Sequence, residues 1–290
     1  MLSILIPTYR YDCRQLVDDL HVQCETLGID YEIIVADDGS GDFATENASI
    51  YQDIDNLSNC RTILRKENVG RSRIRNVLMD EAKGELLLFM DQDGKVIKDD
   101  FIEQYIAAAV SYDVVCGGII HTGKMPSKEY CLRYLYEKRV EKKYANTRNN
   151  LPFRSFCFLI RKEVAANVRM DERYEGYGYE DVKYGIDLRK AGYQVGHINN
   201  PLMNDDIEEN RKFVEKTEEA LRTLHVFEDE LRDETTITRT VSSLRKYGLL
   251  PFVKLTSKLV SKPIRNNLCS TKACINLFNL YKLFYYLNIN

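Results

Sequence analysis

Two spacings of apolar residues alternate along the first third of the chain. Near-continuous runs at Leu2-Ser3-Ile4-Leu5-Ile6-Pro7, Tyr31 to Ala36, Thr62-Ile63-Leu64 and Leu86-Leu87-Leu88-Phe89-Met90 have the length and content of buried strands. Between them, Leu16, Val17, Leu20, Cys24 and Leu27 recur at helical spacing behind Asp12, which can cap a helix. From Arg71 to Ala82, the residues Ile74, Val77, Leu78 and Ala82 make one helical face, so Arg71 and Arg75 can project towards a neighbouring loop. Polar turns close the elements at Asp37-Asp38-Gly39-Ser40, Asn68-Val69-Gly70 and Asp91-Gln92-Asp93. Strand and helix in alternation predict an α/β fold with right-handed crossovers and a parallel, doubly wound sheet.

Further strands are predicted at Val114–Ile120, near Phe156–Ile160 and into His197. Glu180-Asp181 opens a helix over 182–191, preceded by the glycine-containing Glu175-Gly176-Tyr177-Gly178-Tyr179, and a long helix starts near Ile207 with Phe213, Thr217, Ala220, Leu221, Leu224 and Leu231 at core spacing.

Asp91 and Asp93 stand at the carboxyl end of a buried strand, where open α/β sheets bind their ligands. Two hard oxygen donors one residue apart suit Mg²⁺ or Mn²⁺ when a diphosphate supplies the remaining ligands; a solvated acidic turn is the alternative.

Charge changes the picture at the far end. The chain of 290 residues carries a net −3, yet residues 241–290 hold eight Lys or Arg and no acid, while residues 1–240 hold 33 basic against 44 acidic residues, a net −11. Lys254, Lys258, Lys262 and Arg265 interleave with Leu249, Leu250, Phe252, Val253, Leu255 and Leu259, the pattern of an interfacial amphipathic segment, or of a helical appendage packed on the domain or on a second subunit. The acidic body and the lack of a nucleic-acid module argue against nucleic acid as partner. Eight cysteines without a C-x-x-C pair argue against a zinc site or a disulfide framework and fit a reduced cytosolic protein. No amino-terminal secretion signal is visible, and no apolar run reaches the ~18 residues of a membrane span.

The order Ser3-Ile4-Leu5-Ile6-Pro7-Thr8-Tyr9, Asp37-Asp38-Gly39-Ser40, Asn68-x-Gly70 leading to Arg75-Asn76, Asp91-Gln92-Asp93 and Gly178-Tyr179-Glu180-Asp181 resembles family 2 glycosyltransferases over about residues 1–235. The resemblance implies the A-type glycosyltransferase fold, a Rossmann-like, mostly parallel sheet flanked by helices. It gives a transferase domain at 1–235, with nucleotide-sugar binding at about 1–120 and the acceptor and base region at about 121–235. Residues 236–290 form a helical basic extension.

The resemblance also implies roles. Asp38 accepts a hydrogen bond from the nucleotide base, uracil by preference, with Pro7, Thr8 and Tyr9 on the same wall, and Arg71 or Arg75 approaches the base or diphosphate unless both are ordinary helix-surface charge. Asp93 binds Mn²⁺ or Mg²⁺, with Asp91 on the ribose or reaching the metal through water. Asp181 is the general base and Glu180 the runner-up. Where the family often has a metal-binding histidine after an Asn-Pro, this chain has Asn204, whose amide oxygen can bind a hard cation less strongly than imidazole binds Mn²⁺, which shifts the preference towards Mg²⁺; His197 is a possible substitute, although a histidine ending a strand is more often structural. Tyr130, Tyr134, Tyr136 and Tyr144, with the loop at 174–179, shape an acceptor pocket or cover the sheet.

The resulting expectation is an inverting, metal-dependent transferase that moves a hexose or N-acetylhexosamine from a nucleotide sugar to a glycan or lipid-linked acceptor. Its place is the cytoplasm, peripheral at the inner membrane face through the basic segment. Without tryptophan the chain lacks the Gln-x-x-Arg-Trp signature of processive members. Pro7-Thr8-Tyr9-Arg10-Tyr11 contains no glycine, which disfavours a nucleotidyltransferase. A non-catalytic nucleotide-sugar-binding scaffold of the same fold is the remaining alternative.

Overall fold

The computed structural model describes residues 1–121, 125–141, 153–204 and 207–289. Its strands are β1 (Leu2–Thr8), β2 (Tyr31–Asp37), β3 (Cys60–Leu64), β4 (Leu86–Met90), β5 (Gly94–Lys95), β6 (Val114–Cys116), β7 (Ile119–His121), β8 (Cys157–Arg161), β9 (Val195–His197) and β10 (Leu202–Asn204). The helices are α1 (Arg14–Leu27), α2 (Asp42–Glu46), α3 (Ala48–Asp55), α4 (Arg71–Glu81), α5 (Phe101–Ala108), α6 (Cys131–Tyr136), α7 (Lys162–Asn167), α8 (Glu180–Lys190), α9 (Asn210–Val226), α10 (Thr236–Lys246), α11 (Leu250–Leu268) and α12 (Ile275–Leu287).

Seven strands form the main sheet in the order β3-β2-β1-β4-β8-β6-β9, and β5-β10-β7 form a smaller one. The pairs β1/β2, β1/β4, β2/β3 and β6/β9 are parallel, whereas β8 runs antiparallel to both β4 and β6. Alternate side chains feed two apolar layers. Ile4, Ile6, Ile33, Val35, Leu88 and Met90 meet Leu16, Val17, Leu20 and Tyr105 on one face. Leu5, Ile34, Phe89 and Phe158 meet Ile74, Leu78, Val164 and Tyr184 on the other. Burial on both faces explains why the central strands read as near-continuous apolar runs.

Local differences from the sequence reading have identifiable causes. The single strand expected over 114–120 is two, β6 and β7, broken at Gly117-Gly118. A Cβ on Gly117 would meet the Tyr105 hydroxyl at 2.0 Å, and Gly118 has φ +89°, so the chain turns there and β7 joins the small sheet. Helix α1 starts at Arg14, with Cys13 at its cap position; Asp12 lies one residue further out and accepts the Arg14 N–H at 3.1 Å.

The chain groups into two compact units, one of residues 1–122, 147–175 and 180–205, the other of 123–146, 176–179 and 206–290. The second has its own core of Leu132, Val214, Ile264, Leu268, Phe278, Tyr281 and Phe284. The resemblance implies a boundary at 235/236; packing groups 206–235 with the tail, because Val214 and Phe213 on α9 meet Phe278 and Ile264 there. Among the described residues no helix is long and apolar enough to cross a membrane.

Candidate functional site

Strands β1 and β2 end in one register row, Thr8 beside Asp37. Asp37 is buried and wholly engaged: its carboxylate accepts the Ser40 N–H at 2.8 Å, the Ser40 hydroxyl and the Tyr51 hydroxyl at 2.8 Å. It builds the turn, which leaves Asp38 to face the following loop. Both Asp38 oxygens accept main-chain donors there, from Val69 N–H at 2.9 Å and Gly70 N–H at 3.0 Å. Burial pushes the Asp38 carboxyl above its ordinary pKa against the pull of those two N–H groups. Gly39 is required between them: its φ is +75°, and a Cβ would lie 2.3 Å from the Glu67 carbonyl carbon.

Thr8 is buried, and its hydroxyl has no hydrogen-bond partner among the described residues. Pro7 is half-buried and Tyr9 exposed. The Tyr9 main chain is gripped twice by Gln92, whose Oε1 accepts the Tyr9 N–H at 2.6 Å and whose Nε2 donates to the Tyr9 carbonyl at 3.3 Å. Gln92 escaped the sequence reading as anything but a spacer between two aspartates; an amide at a strand end was the available signal.

Helix α4 is the organising element. Gly70, just before it, binds Asp38; Arg71 reaches the Glu180 carboxylate, Nη1 to Oε1 at 3.7 Å; and the Arg75 guanidinium pairs with Asp91. Arg75 is only 2% exposed, so it is not helix-surface charge, and its Nε lacks a partner among the described residues. Arg71 is 45% exposed at its side chain and lies at the acid pair. Asn76 fastens the helix to the 170–172 segment. Its Nδ2 donates to the Met170 carbonyl at 2.9 Å and to Glu172 at 3.0 Å, and its Oδ1 accepts the Met170 N–H at 3.1 Å.

At the end of β4, Asp93 accepts the Asn204 side-chain N–H at 2.9 Å. In the small sheet Asn204 pairs in register with Gly94 on one side and His121 on the other. Asn204 thus holds Asp93 through its amide nitrogen. His197 ends β9 in the main sheet, beside Cys116. The donor set is one of hard oxygens, Asp93 and Asp91, which suits Mg²⁺ or Mn²⁺ bound mainly by phosphate and water. Among the described residues no three His, Cys, Asp or Glu side chains converge into a closed cage.

Glu180 and Asp181 begin α8, directly after Tyr179 with φ 67° and Gly178 with φ +95°. Glu180 is buried, with Oε2 unpartnered among the described residues. Asp181 has its pKa raised to about 6, chiefly by burial and then by the neighbouring Glu180 charge, with Arg154, the Val182 N–H at 2.8 Å and Arg71 pulling the other way. Arg154 had no sequence signal, being one of many cations in its region. Thr8 Oγ1, Arg75 Nε and Glu180 Oε2 are buried polar atoms without a hydrogen-bond partner among the described residues, so each keeps capacity for a polar group.

In the second unit Tyr136 packs against Phe213 and Phe278, and Lys138 lies 4.4 Å over the Tyr134 ring. Tyr136 is therefore part of the packing of its unit, while Tyr144 lies outside the described residues.

Residues 3–169 match the family described as Glycosyl transferase family 2. The undecaprenyl-phosphate 4-deoxy-4-formamido-L-arabinose transferase of Enterobacter sp. (strain 638) is 30% identical over 118 residues, 39% of this chain and 35% of that protein, so the match spans about a third of the relative's length. Among solved structures, the mannosyltransferase PcManGT from Pyrobaculum calidifontis, in complex with GDP-Man and Mn²⁺, superposes with a TM-score of 0.59 at 13% identity over 99% of this chain and 84% of its own. S. aureus TarS (1–349) in complex with UDP-GlcNAc superposes with a TM-score of 0.51 at 16% identity over 99% and 89%. At these identities the structures establish the fold.

Proposed function

The chain belongs to glycosyl transferase family 2 and is a glycosyltransferase, and we propose that it is an inverting, metal-dependent, non-processive one, moving a hexose or N-acetylhexosamine from a nucleotide sugar to a surface-polysaccharide or lipid-linked acceptor. The observation that carries this reading is the convergence on α4: Gly70 binds the Asp38 turn, Arg71 the Glu180-Asp181 pair and Arg75 the Asp91-Gln92-Asp93 turn. One rigid element ties together candidate groups for the nucleotide, the diphosphate and the acceptor proton.

In this reading Asp38, Thr8, Pro7 and Tyr9 receive the base. A carboxylate selects a base with an N–H donor, so a UDP-sugar is preferred, and the UDP-GlcNAc complex of TarS supports it. Guanine offers such donors too, and PcManGT binds GDP-Man. Asp91, fixed by Arg75, would touch the ribose or reach the metal through water. Asp93 would hold Mn²⁺ or Mg²⁺, which would supply charge stabilisation for the departing diphosphate. Asp181 removes the acceptor hydroxyl proton as that oxygen bonds to the anomeric carbon, while the bond from that carbon to the diphosphate oxygen breaks with its electron pair on the nucleotide. Displacement from the face opposite the leaving group inverts the anomeric configuration. A carboxylate with pKa about 6 is a stronger base than an ordinary one yet largely ionised at pH 7.

The undecaprenyl-phosphate in the Enterobacter relative's name supports a lipid-linked acceptor, and the basic segment 241–290 supports a peripheral contact at the inner, cytoplasmic membrane face. The test is thermal stability with UDP, GDP, CDP and dTDP, each with Mn²⁺, Mg²⁺ or EDTA, on wild type and Asp93→Ala. A metal-dependent rise with one nucleotide, lost in the variant, supports the site; no rise with any nucleotide would count against it.

A further inference from the structure

Helix α11 has two faces of opposite fate. Ser257, Ile264 and Leu268 are buried, and Ser257 is tied to Asn288, whose Nδ2 donates to the Ser257 hydroxyl at 2.8 Å. Arg265 on the same helix is anchored to Glu218, Nε to Oε1 at 2.6 Å. These contacts fix the rotation of the helix within its unit. On the side away from them, Phe252, Leu255 and Leu259 fall in one row at i, i+3 and i+7, and they are 68%, 64% and 75% exposed. Exposed Lys254, Lys258 and Lys262 run alongside at i, i+4 and i+8. An ordinary surface helix turns its apolar stripe inward. This one buries a stripe and presents a second, with a lysine row at its edge.

We propose that this outward row is a lipid-docking face, with Phe252, Leu255 and Leu259 seated among the acyl chains and Lys254, Lys258 and Lys262 on anionic headgroup phosphates. The inference rests on the peripheral-membrane reading above and assigns it to one face of one helix. Charge complementarity selects the occupant. No Asp or Glu occurs between 241 and 290, so every charge that this helix carries is positive. A second copy is disfavoured, because the same segment of a partner carries no Asp or Glu to answer the lysine row. An anionic bilayer supplies both an apolar layer and negative charge, and interfacial helices with lysine-flanked apolar faces bind through both.

The full chain is tested by co-sedimentation with phosphatidylcholine vesicles, with and without phosphatidylglycerol. Wild type is expected to bind only the anionic vesicles. Lys254→Gln/Lys258→Gln/Lys262→Gln lowers the partition on the order of 100-fold, and Phe252→Ser/Leu255→Ser/Leu259→Ser reduces binding to background, both with the wild-type melting temperature. The chain has no tryptophan, so Phe252→Trp reports on its own position: its emission moves to the blue on anionic vesicles and stays unmoved on phosphatidylcholine alone. Failure of wild type to bind, or serine variants that bind like wild type, or an unmoved Phe252→Trp emission on bound protein, would overturn the proposal. So would a lipid-free dimer that the serine substitutions dissociate. The nucleotide thermal shift is read separately: its absence in wild type counts against the proposed nucleotide site and leaves the lipid result standing.

Discussion

Arg75 and Asp91, sixteen residues apart in sequence, form an ion pair in which the guanidinium is buried and the carboxylate keeps a fifth of its side-chain surface exposed. The pair fixes the first carboxylate of the Asp-Gln-Asp turn from the helix that also holds the Asp38 loop. Replacing Arg75 by Met leaves Asp91 partly buried without its cation. Removal of one partner from a fully buried pair costs about 3–5 kcal/mol, and the water still reaching Asp91 reduces this to about 2–3 kcal/mol. Urea denaturation of the Arg75→Met variant measures it, and nucleotide affinity should fall in parallel.

The acid pair makes a pH prediction. Asp181 has a folded pKa of about 6, above the ordinary carboxylate range near 4. The native state therefore binds this proton more tightly than the unfolded chain does. Its contribution to stability is complete below about pH 4 and is lost as pH rises towards 6. Activity runs the other way, because a general base must be ionised: kcat/KM should fall about tenfold per pH unit below 6 and level off above it. Glu180→Gln removes the neighbouring negative charge, so the acid limb should move to lower pH. A limb unmoved in that variant would separate Asp181 from the pH dependence. Asp181→Asn should lower kcat by about 10²–10⁴-fold with the nucleotide thermal shift retained.

Asn204 holds Asp93 through its amide nitrogen. Asn204→Ala should weaken Mn²⁺ binding in the presence of UDP by removing the orienting bond, roughly a tenfold effect for an outer-shell partner. Asn204→His should tighten Mn²⁺ relative to Mg²⁺, since imidazole prefers the transition metal. Calorimetric titration of each metal with UDP present decides this, and equal Mn²⁺ affinity in all three proteins would show that position 204 does not act on the metal.

Asn76 makes three hydrogen bonds from a buried position, joining α4 to residues 170–172. Asn76→Ala strands the Met170 N–H and carbonyl, at about 1–3 kcal/mol each if left unsatisfied. A loss of about 2–4 kcal/mol in chemical denaturation is expected. Because α4 carries Arg71 and Arg75, nucleotide affinity should weaken as well, although Asn76 is not placed on the nucleotide.

Much of the fold was legible locally. The strands at 2–8, 31–37 and 86–90 were visible because both their faces are buried, which makes their apolar content continuous. The helix at 71–81 was visible because only one of its faces is apolar. The break at Gly117-Gly118 was not, because it arises from the Tyr105 hydroxyl, a side chain from another element. The exposed end of α1, where Leu27 follows the helical spacing yet is 38% exposed, was also invisible to a pattern that records type and not depth.

The sequence by itself determined the class of the protein: the order of strands, helices and polar turns, the carboxylates at the strand ends, and the cationic final fifth are all consequences of residue type and spacing. Only the tertiary structure decided which of those residues act on one another. Of two adjacent aspartates, Asp37 builds the turn and Asp38 holds the 69–70 loop. Arg75 lies buried against Asp91, Asn204 donates to a carboxylate 111 residues earlier, and the Phe252, Leu255 and Leu259 row points outward. Hydrophobic periodicity is a local property that survives in one dimension. The partner of a charge and the side of a helix left exposed depend on which distant elements pack there, and spacing along the chain carries no record of that.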